Sequence, residues 1–358
     1  MSYFHILEEK QIMRHLLLVC CFLPVLLFCS CGKREMSKTE EEQLAEIVKL
    51  ADQDICKDRY TRIPEYFGRI LAIVEPLKNC DEVYCAKSFA YDSIGYYYVF
   101  YGDHFSANSY LVQAMKYADR ISENSAFRVL GKTDIYLHFY LLYSHRKNLA
   151  DFWFKEWHNF LMAYLKHPDQ LKQNKSLYEV FWSRYVVFAD VKMKYLIKNN
   201  RIDDAVSLLS EFESQINKFY PDPDAIPGYF SLNNTAAVIY SLKNDSKKMA
   251  YYAEKAVKLA EKRGFFPEKS FFLLIRYHME HGNYQVAEKY CSLGLVLCDH
   301  NKIRSDIRWK IDLWILLADI HWKCKYADLA KICLSEAEKL KPPPDLMDKI
   351  RKKRKEWF

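Results

Sequence analysis

Two short clusters of side chains in the sequence have the chemistry to bind a metal ion. His278, Glu280 and His281 stand close together, but the histidines are three positions apart, which is not the spacing of zinc-protease ligands. His278 also falls at a packing position of the periodic pattern described below, so we predict a core or turn role for it. Asp222 and Asp224 flank a proline and lack further oxygen ligands nearby, which favours a plain turn over a calcium loop.

The motifs that phosphate, dinucleotide and hydrolase chemistry require are missing. The sequence has no P-loop, no dinucleotide-binding glycine fingerprint, no G-x-S-x-G elbow and no H-E-x-x-H. We therefore predict that the protein is not an enzyme, and we assign it no catalytic residue, no metal ligand and no cofactor.

The cysteines do not form a regular framework. Four of the eleven fall within the first 31 residues, and the remaining seven are an odd number without a C-x-x-C pair. Cys291 takes a helix-packing position, so we predict a small buried hydrophobe there. A pair drawn from Cys56, Cys80 and Cys85 is a hypothesis for a disulfide in an oxidising compartment.

The N-terminus has the pattern of an export signal. Residues 16–29 form an apolar run that follows the basic residue Arg14 and ends just before Cys31. The run is too short to span a membrane comfortably, and Pro24 interrupts it. We predict that residues 1–30 are a signal peptide.

The end of this predicted signal peptide resembles a known processing motif. Residues 27–32, Leu-Phe-Cys-Ser-Cys-Gly, resemble the lipobox of bacterial lipoproteins, in which the cysteine is acylated and becomes the mature N-terminus. The resemblance implies a lipid on Cys31 and a flexible, lipidated tether over residues 31–44. Met13 is a second candidate start codon. The alternative is an uncleaved signal anchor.

The composition favours helices. Half of the residues are hydrophobic, but only 9 of 358 are glycine, which sheet-rich folds need for tight turns. The net charge of +7 is modest and is concentrated near the end of the chain. We predict a basic C-terminal helix or tail over residues 345–358.

Small and bulky residues recur along the chain in a fixed order. The clearest copy comprises Trp314, Leu317, Ala318, His321, Ala330, Leu334, Ala337 and Pro342. Two others comprise Tyr91, Ile94, Gly95, Tyr98, Gly102, Ala107, Leu111 and Ala114, and Phe271, Leu274, Ile275, His278, Gly282, Ala287, Cys291 and Gly294. This spacing resembles the signature of the tetratricopeptide family over residues 45–344.

The physical reason for the pattern predicts the fold. Small residues such as Ala107, Ala205, Ala287 and Ala330 let two antiparallel helices approach closely. Glycine or asparagine in the turns tolerates left-handed backbone, as at Gly102-Asp103, Asn199-Asn200, Asn244-Asp245 and Gly282-Asn283. We expect an all-α, right-handed superhelical solenoid of about seven antiparallel helix hairpins. The polar stretch 167–175 is expected to be an extended loop.

The resemblance also implies a binding surface. In such repeats the first helix of each hairpin lines the concave face, where partners bind. Carried over copy by copy, the partner-binding residues are Tyr96, Lys194, Asn234, Arg276, Asp319 and Trp322. Their mixture of charged, amide and aromatic side chains is typical of a peptide-binding surface.

Three functional hypotheses follow from these features. The first is a lipid-anchored, periplasm-facing lipoprotein of the bacterial cell envelope that binds a protein or peptide and scaffolds an assembly. The second is the sensor or regulatory repeat domain of a truncated bacterial regulator. The third is nucleic-acid contact through the basic tail, for which the alternative is a solvated final helix that keeps the end of the array soluble. We expect no nucleic-acid partner.

Overall fold

The computed structural model describes residues 38–56, 60–77, 79–263, 267–300 and 307–358. The predicted signal peptide and the lipidation site Cys31 lie outside these residues, as do residues 31–37, the first half of the predicted tether. Across the described part of the chain the secondary structure is helical, without strands. None of the described helices is long and apolar enough to cross a membrane.

Sixteen α-helices make up the described chain. They are α1 (Lys38–Cys56), α2 (Ile63–Val74), α3 (Asp81–Tyr101), α4 (His104–Ala118), α5 (Ala126–Tyr143), α6 (Lys147–Leu165), α7 (Pro168–Gln173), α8 (Lys175–Lys198), α9 (Ile202–Phe219), α10 (Tyr229–Leu242), α11 (Ser246–Arg263), α12 (Glu268–Glu280), α13 (Tyr284–His300), α14 (Ile307–Lys323), α15 (Ala327–Lys339) and α16 (Pro344–Trp357). Short 3₁₀ helices span Tyr60–Arg62 and Pro223–Ala225.

The chain divides into two compact units, whose boundary falls between Phe188 and Ala189, within α8. The first unit contains the pairs α1–α2, α3–α4 and α5–α6, then the short α7 and the beginning of α8. The second contains the end of α8 with α9, the pairs α10–α11, α12–α13 and α14–α15, and the final α16. The all-α class and about seven helix hairpins are therefore confirmed for the described residues.

Five hairpins share one type of turn. After the first helix comes a residue with left-handed backbone, and the amide of the next residue donates to a carbonyl five positions earlier, as in a Schellman motif. The left-handed residues, with φ between 57° and 77°, are Gly102, Asn200, Asn244, Gly282 and Lys325. The four predicted turns are confirmed. In the fifth turn the left-handed residue is Lys325, although lysine adopts this backbone conformation less readily than glycine.

The close helix approaches occur at the predicted small residues. A Cβ atom added to Gly95 in α3 would lie 2.8 Å from Cδ2 of Leu111 in α4, so only glycine fits without displacing that leucine. Ala107, Ala205 and Ala287 are fully buried, as is Ala330. The alanine at 107 belongs to a core cluster with Leu111 and rings from α3.

Two predicted boundaries differ from the structure. Helix α1 begins at Lys38, so the last residues of the predicted tether 31–44 are helical. The stretch 167–175, expected to be an extended loop, contains the short helix α7 instead. Its first residue is Pro168, whose fixed φ and missing N–H suit a helix start. The turn predicted at Asp222 and Asp224 is confirmed as a 3₁₀ turn.

The cysteines separate into one bonded residue and several buried thiols. Cys80 is disulfide-bonded, whereas Cys85 is free and burial raises the pKa of its thiol to about 12. The disulfide hypothesis is thus supported at Cys80 and excluded at Cys85. The side chain of Cys56 lies outside the described set. Cys291 is a free, fully buried thiol, as predicted.

Candidate binding surface

Within each unit, the first helices of successive hairpins are linked by polar contacts, which together we call the first-helix ladder. Its first contact joins α3 to α5, where Nδ1 of His138 lies 2.8 Å from Oδ1 of Asp92. Both side chains are almost completely buried, and the ring of Tyr96 stacks on His138 at 4.4 Å between centroids. Nε2 of His138 has no hydrogen-bond partner in the described part of the chain. The buried carboxylate of Asp92 is tolerated because it has a hydrogen-bond partner in the imidazole of His138.

The second contact joins α5 to α8. The guanidinium of Arg184 approaches the two carboxylate oxygens of Asp134 at 2.9 and 3.2 Å, a two-pronged arrangement. Both side chains are mostly buried, so water screens their attraction little.

In the second unit, Asp190 of α8 is the centre of the next contact. Its oxygens accept hydrogen bonds from the hydroxyls of Thr235 at 2.5 Å and Ser231 at 2.8 Å, both in α10. Nζ of Lys194, one turn further along α8, lies 3.2 Å from the same carboxylate. The predicted residue Lys194 therefore lies beside a buried acid, and its side chain is 33 % exposed.

The predicted residue Asn234 links α10 to α12. Its side-chain oxygen accepts from the backbone amide of Ser270 at 2.9 Å and from the hydroxyl of Ser270 at 2.8 Å. Asn234 and Ser270 are both buried. The side chain of Asn234 thus holds the first helices of two hairpins together, and because it is buried its assignment to an accessible binding face is not supported.

The predicted pair Asp319 and Trp322 lies on α14 and is covered by the C-terminal helix. Lys353 of α16 forms an ion pair with Asp319, and the indole of Trp357 stacks on Trp322 at 5.1 Å with an interplanar angle of 6°. The basic tail predicted for residues 345–358 is therefore a packed helix that contacts two of the predicted binding residues.

The two remaining predicted residues have opposite environments. Arg276 of α12 is exposed, which is compatible with partner binding. Tyr96 is only 1 % exposed and stacks on His138, so its assignment to an accessible binding face is wrong. Its ring belongs to the core because α3 is covered on more sides than a helix lining an open groove would be.

The acids of the ladder, Asp92, Asp134 and Asp190, are not among the residues predicted from the sequence. Each is a carboxylate inside an otherwise largely apolar helix segment, and such a residue needs a partner when it is buried. That signal was available in the sequence. The partners His138 and Arg184 were not identifiable, because they are about 50 residues away from their acids along the chain.

No three His, Cys, Asp or Glu residues in the described part of the chain are grouped so that they could hold a metal ion. His278 stacks on Tyr290 at 5.6 Å, in agreement with the predicted packing role, and burial lowers its pKa. The surface consists of orienting hydrogen bonds and charges, which are suited to recognition.

The sequence matches no protein-family model and no curated protein. Among solved structures, it is similar to NprR in complex with its cognate peptide NprX, with 13 % identity and a TM-score of 0.34. That similarity covers 88 % of this chain and 81 % of the NprR chain.

Proposed function

We propose that this protein is a lipid-anchored scaffold of the bacterial envelope, facing the periplasm, that binds a protein or peptide partner and does not catalyse a reaction. The observation that carries the proposal is the first-helix ladder of the second unit. There Lys194 and Arg276 reach solvent, and the buried carboxylate of Asp190, which lies 3.2 Å from Lys194, is itself held by the hydroxyl groups of Thr235 and Ser231. A charged side chain that is held in place before binding, as Lys194 is by Asp190, reduces the entropy lost when a flexible peptide binds.

The envelope location has two supports of its own. The first is the lipobox-like segment that ends in Cys31, with its apolar run and basic start. The second is the disulfide at Cys80, because disulfides persist in exported proteins and are rare in the reducing cytosol.

The binding proposal can be tested by site-specific photo-crosslinking in the native envelope. A photoreactive residue at position 276, on a first helix, is expected to capture the partner. The matched control is Lys289, an exposed cation on the second helix of the same hairpin. We expect no capture there. Equal capture at both positions, or capture at 289 alone, would contradict binding along the first helices.

A charge variant measures the strength of the same interaction. Once the partner is identified, Arg276→Glu is expected to weaken its binding roughly fivefold to tenfold, the usual cost of losing one contributing side chain in an interface. Lys289→Glu should leave the Kd unchanged. If the two variants behave alike, the effect reflects net charge and not a site.

The anchor is tested separately by metabolic labelling with a fatty-acid probe. The native chain should be labelled and recovered with membranes, whereas Cys31→Ala should lose the label. Labelling that persists in Cys31→Ala would remove the lipidation proposal without affecting the binding proposal.

A further inference from the structure

The final helix α16 lies beside α14 in a regular register. Asp345 pairs with Arg308, Lys349 with Asp312 at 3.2 Å, and Lys353 with Asp319. The residue numbers increase together along both helices, so the helices run in the same direction. Helix α16 thus occupies the position that the first helix of a following hairpin would take.

The residues of α14 beneath it form a compact recognition surface. Asp312 and Asp319 supply two carboxylates and Trp322 an indole face, and we call these three residues the α14 strip. Each group of the strip contacts a complementary group of α16. Lys349 and Lys353 pair with the two acids, and the indole of Trp357 stacks on that of Trp322. Nζ of Lys353 also lies 4.9 Å from the centroid of Trp357, which orients the aromatic end of the helix.

Charges contribute much of what holds α16 in this position. Only Leu346 and Ile350 are buried among its residues. The pair Lys349–Asp312 is 45 % and 26 % exposed, and Arg308–Asp345 is 44 % and 58 % exposed. Arg354 adds a two-pronged pair with Glu338 of α15. Lys353–Asp319 is the most buried of these pairs, at 19 % and 20 % exposure. The more exposed pairs are individually weak and are screened by salt, so a competing helix of the same chemistry can replace α16.

We infer that the α14 strip is a docking site for a cationic amphipathic helix from a partner protein, and that α16 is its occupant within the chain. The partner helix carries two lysine or arginine residues one turn apart and an aromatic residue one turn later, as Lys349, Lys353 and Trp357 do. This inference rests on the proposed function and deepens it by naming the class of partner that the last hairpin binds. Binding of the partner displaces α16.

The test uses the full chain and a fluorescent peptide with the sequence of residues 344–358. One protein variant opens the site by reversing the tail, Lys349→Glu with Lys353→Glu. The other reverses the strip, Asp312→Lys with Asp319→Lys. In both variants, α16 and the strip carry charges of the same sign and repel each other. Only the tail-reversed protein keeps an acidic strip. A second peptide carries glutamate at positions 349 and 353.

Fluorescence anisotropy should give a matched pattern. The native peptide is expected to bind the tail-reversed protein at least about tenfold more tightly than the unaltered protein, the ratio expected when two ion pairs no longer compete. The strip-reversed protein should bind the glutamate peptide and not the native one. Native peptide bound equally by both variants, or by neither while far-ultraviolet circular dichroism shows helix, would overturn the inference.

A measurement on the unaltered protein covers the case in which the variants fail to fold. A saturating concentration of native peptide should speed amide hydrogen exchange in α16 and leave α12 unchanged. If exchange in α16 stays the same, the helix is not displaced and the inference is wrong. This readout does not involve position 276, so its failure is distinguishable from failure of the general binding proposal.

Discussion

The contact between α3 and α5 and the contact between α14 and α16 use the same kind of helix pairing in opposite environments. Asp92 and His138 are sealed from water, and α3 buries twelve of its residues. Helix α16 buries two, and most of its ion pairs reach solvent. The first contact belongs to the core, whereas the second lies mainly at the surface, where we propose that it exchanges. We therefore expect burial of the charged groups, more than their number, to decide how firmly one helix holds the next.

The largest expected effect is the loss of the buried acid. Asp92→Ala should lower the free energy of unfolding of the α3–α5 region by about 3 kcal/mol, because it leaves the buried His138 without its partner. Asp345→Ala, which removes an exposed partner in α16, should cost less than about 1 kcal/mol. Native-state hydrogen exchange measures each region separately. Equal losses at the two sites would break the comparison.

Close packing in the sealed region can be probed with a matched glycine pair. Gly95→Ala should destabilise by about 1–2 kcal/mol, since the new Cβ would lie 2.8 Å from Leu111. Gly68→Ala, in the exposed surface of α2 with no neighbouring atom within 4 Å, should stabilise by about 0.5–1 kcal/mol through helix propensity. Chemical denaturation of both variants tests this, and a stabilised Gly95→Ala would contradict the close approach.

Salt should separate the two contacts without any mutation. Raising the NaCl concentration to 1 M shortens the screening length to about 3 Å, so the exposed pairs of α16 weaken while the buried pair of α3 and α5 does not. Hydrogen exchange in α16 is expected to accelerate a few-fold, with little change in α3. Acceleration in both regions would mean that the α3–α5 pair is open to solvent.

A smaller, pH-dependent effect is expected at His278, which lies between these extremes of exposure. Burial lowers its pKa below the ordinary value of 6.5, so the unfolded chain takes up a proton at a higher pH than the folded one. The stability that this group contributes is therefore present above pH 6.5 and is lost as the pH falls through its folded pKa. Chemical denaturation of His278→Phe between pH 7.5 and 5 should therefore show a smaller decrease in stability than that of the unaltered chain.

The features that the sequence predicted are those set by local chemistry. A left-handed turn residue such as Gly102 or Asn200 is readable because few residues adopt that backbone cheaply. Buried alanines such as Ala107 and Ala330 are readable because they recur at a fixed distance from those turns. The helix α7 was not predicted because it is short and mostly polar, with Leu171 as its only buried apolar residue and a proline at its start as the only helix signal.

The features that it did not predict depend on contacts between distant residues. Whether Tyr96 faces a groove or the core depends on how closely α5 covers α3, which no local pattern reports. The occupation of Asp319 by Lys353 likewise depends on where a charged helix docks. Charge composition indicated that the tail is basic, but it did not indicate which acids it meets.

The turns also bear on how a chain of this kind can lengthen or shorten during evolution. The backbone hydrogen bonds of each left-handed turn, such as the one at Asn244, close within its own hairpin. Duplication or deletion of a complete hairpin therefore leaves the backbone of every other turn intact, although side-chain pairs such as Lys243 with Asp203 of the preceding hairpin are lost. Only the side chains at the new junction must be matched. These are one carboxylate or amide and the group that donates a hydrogen bond to it.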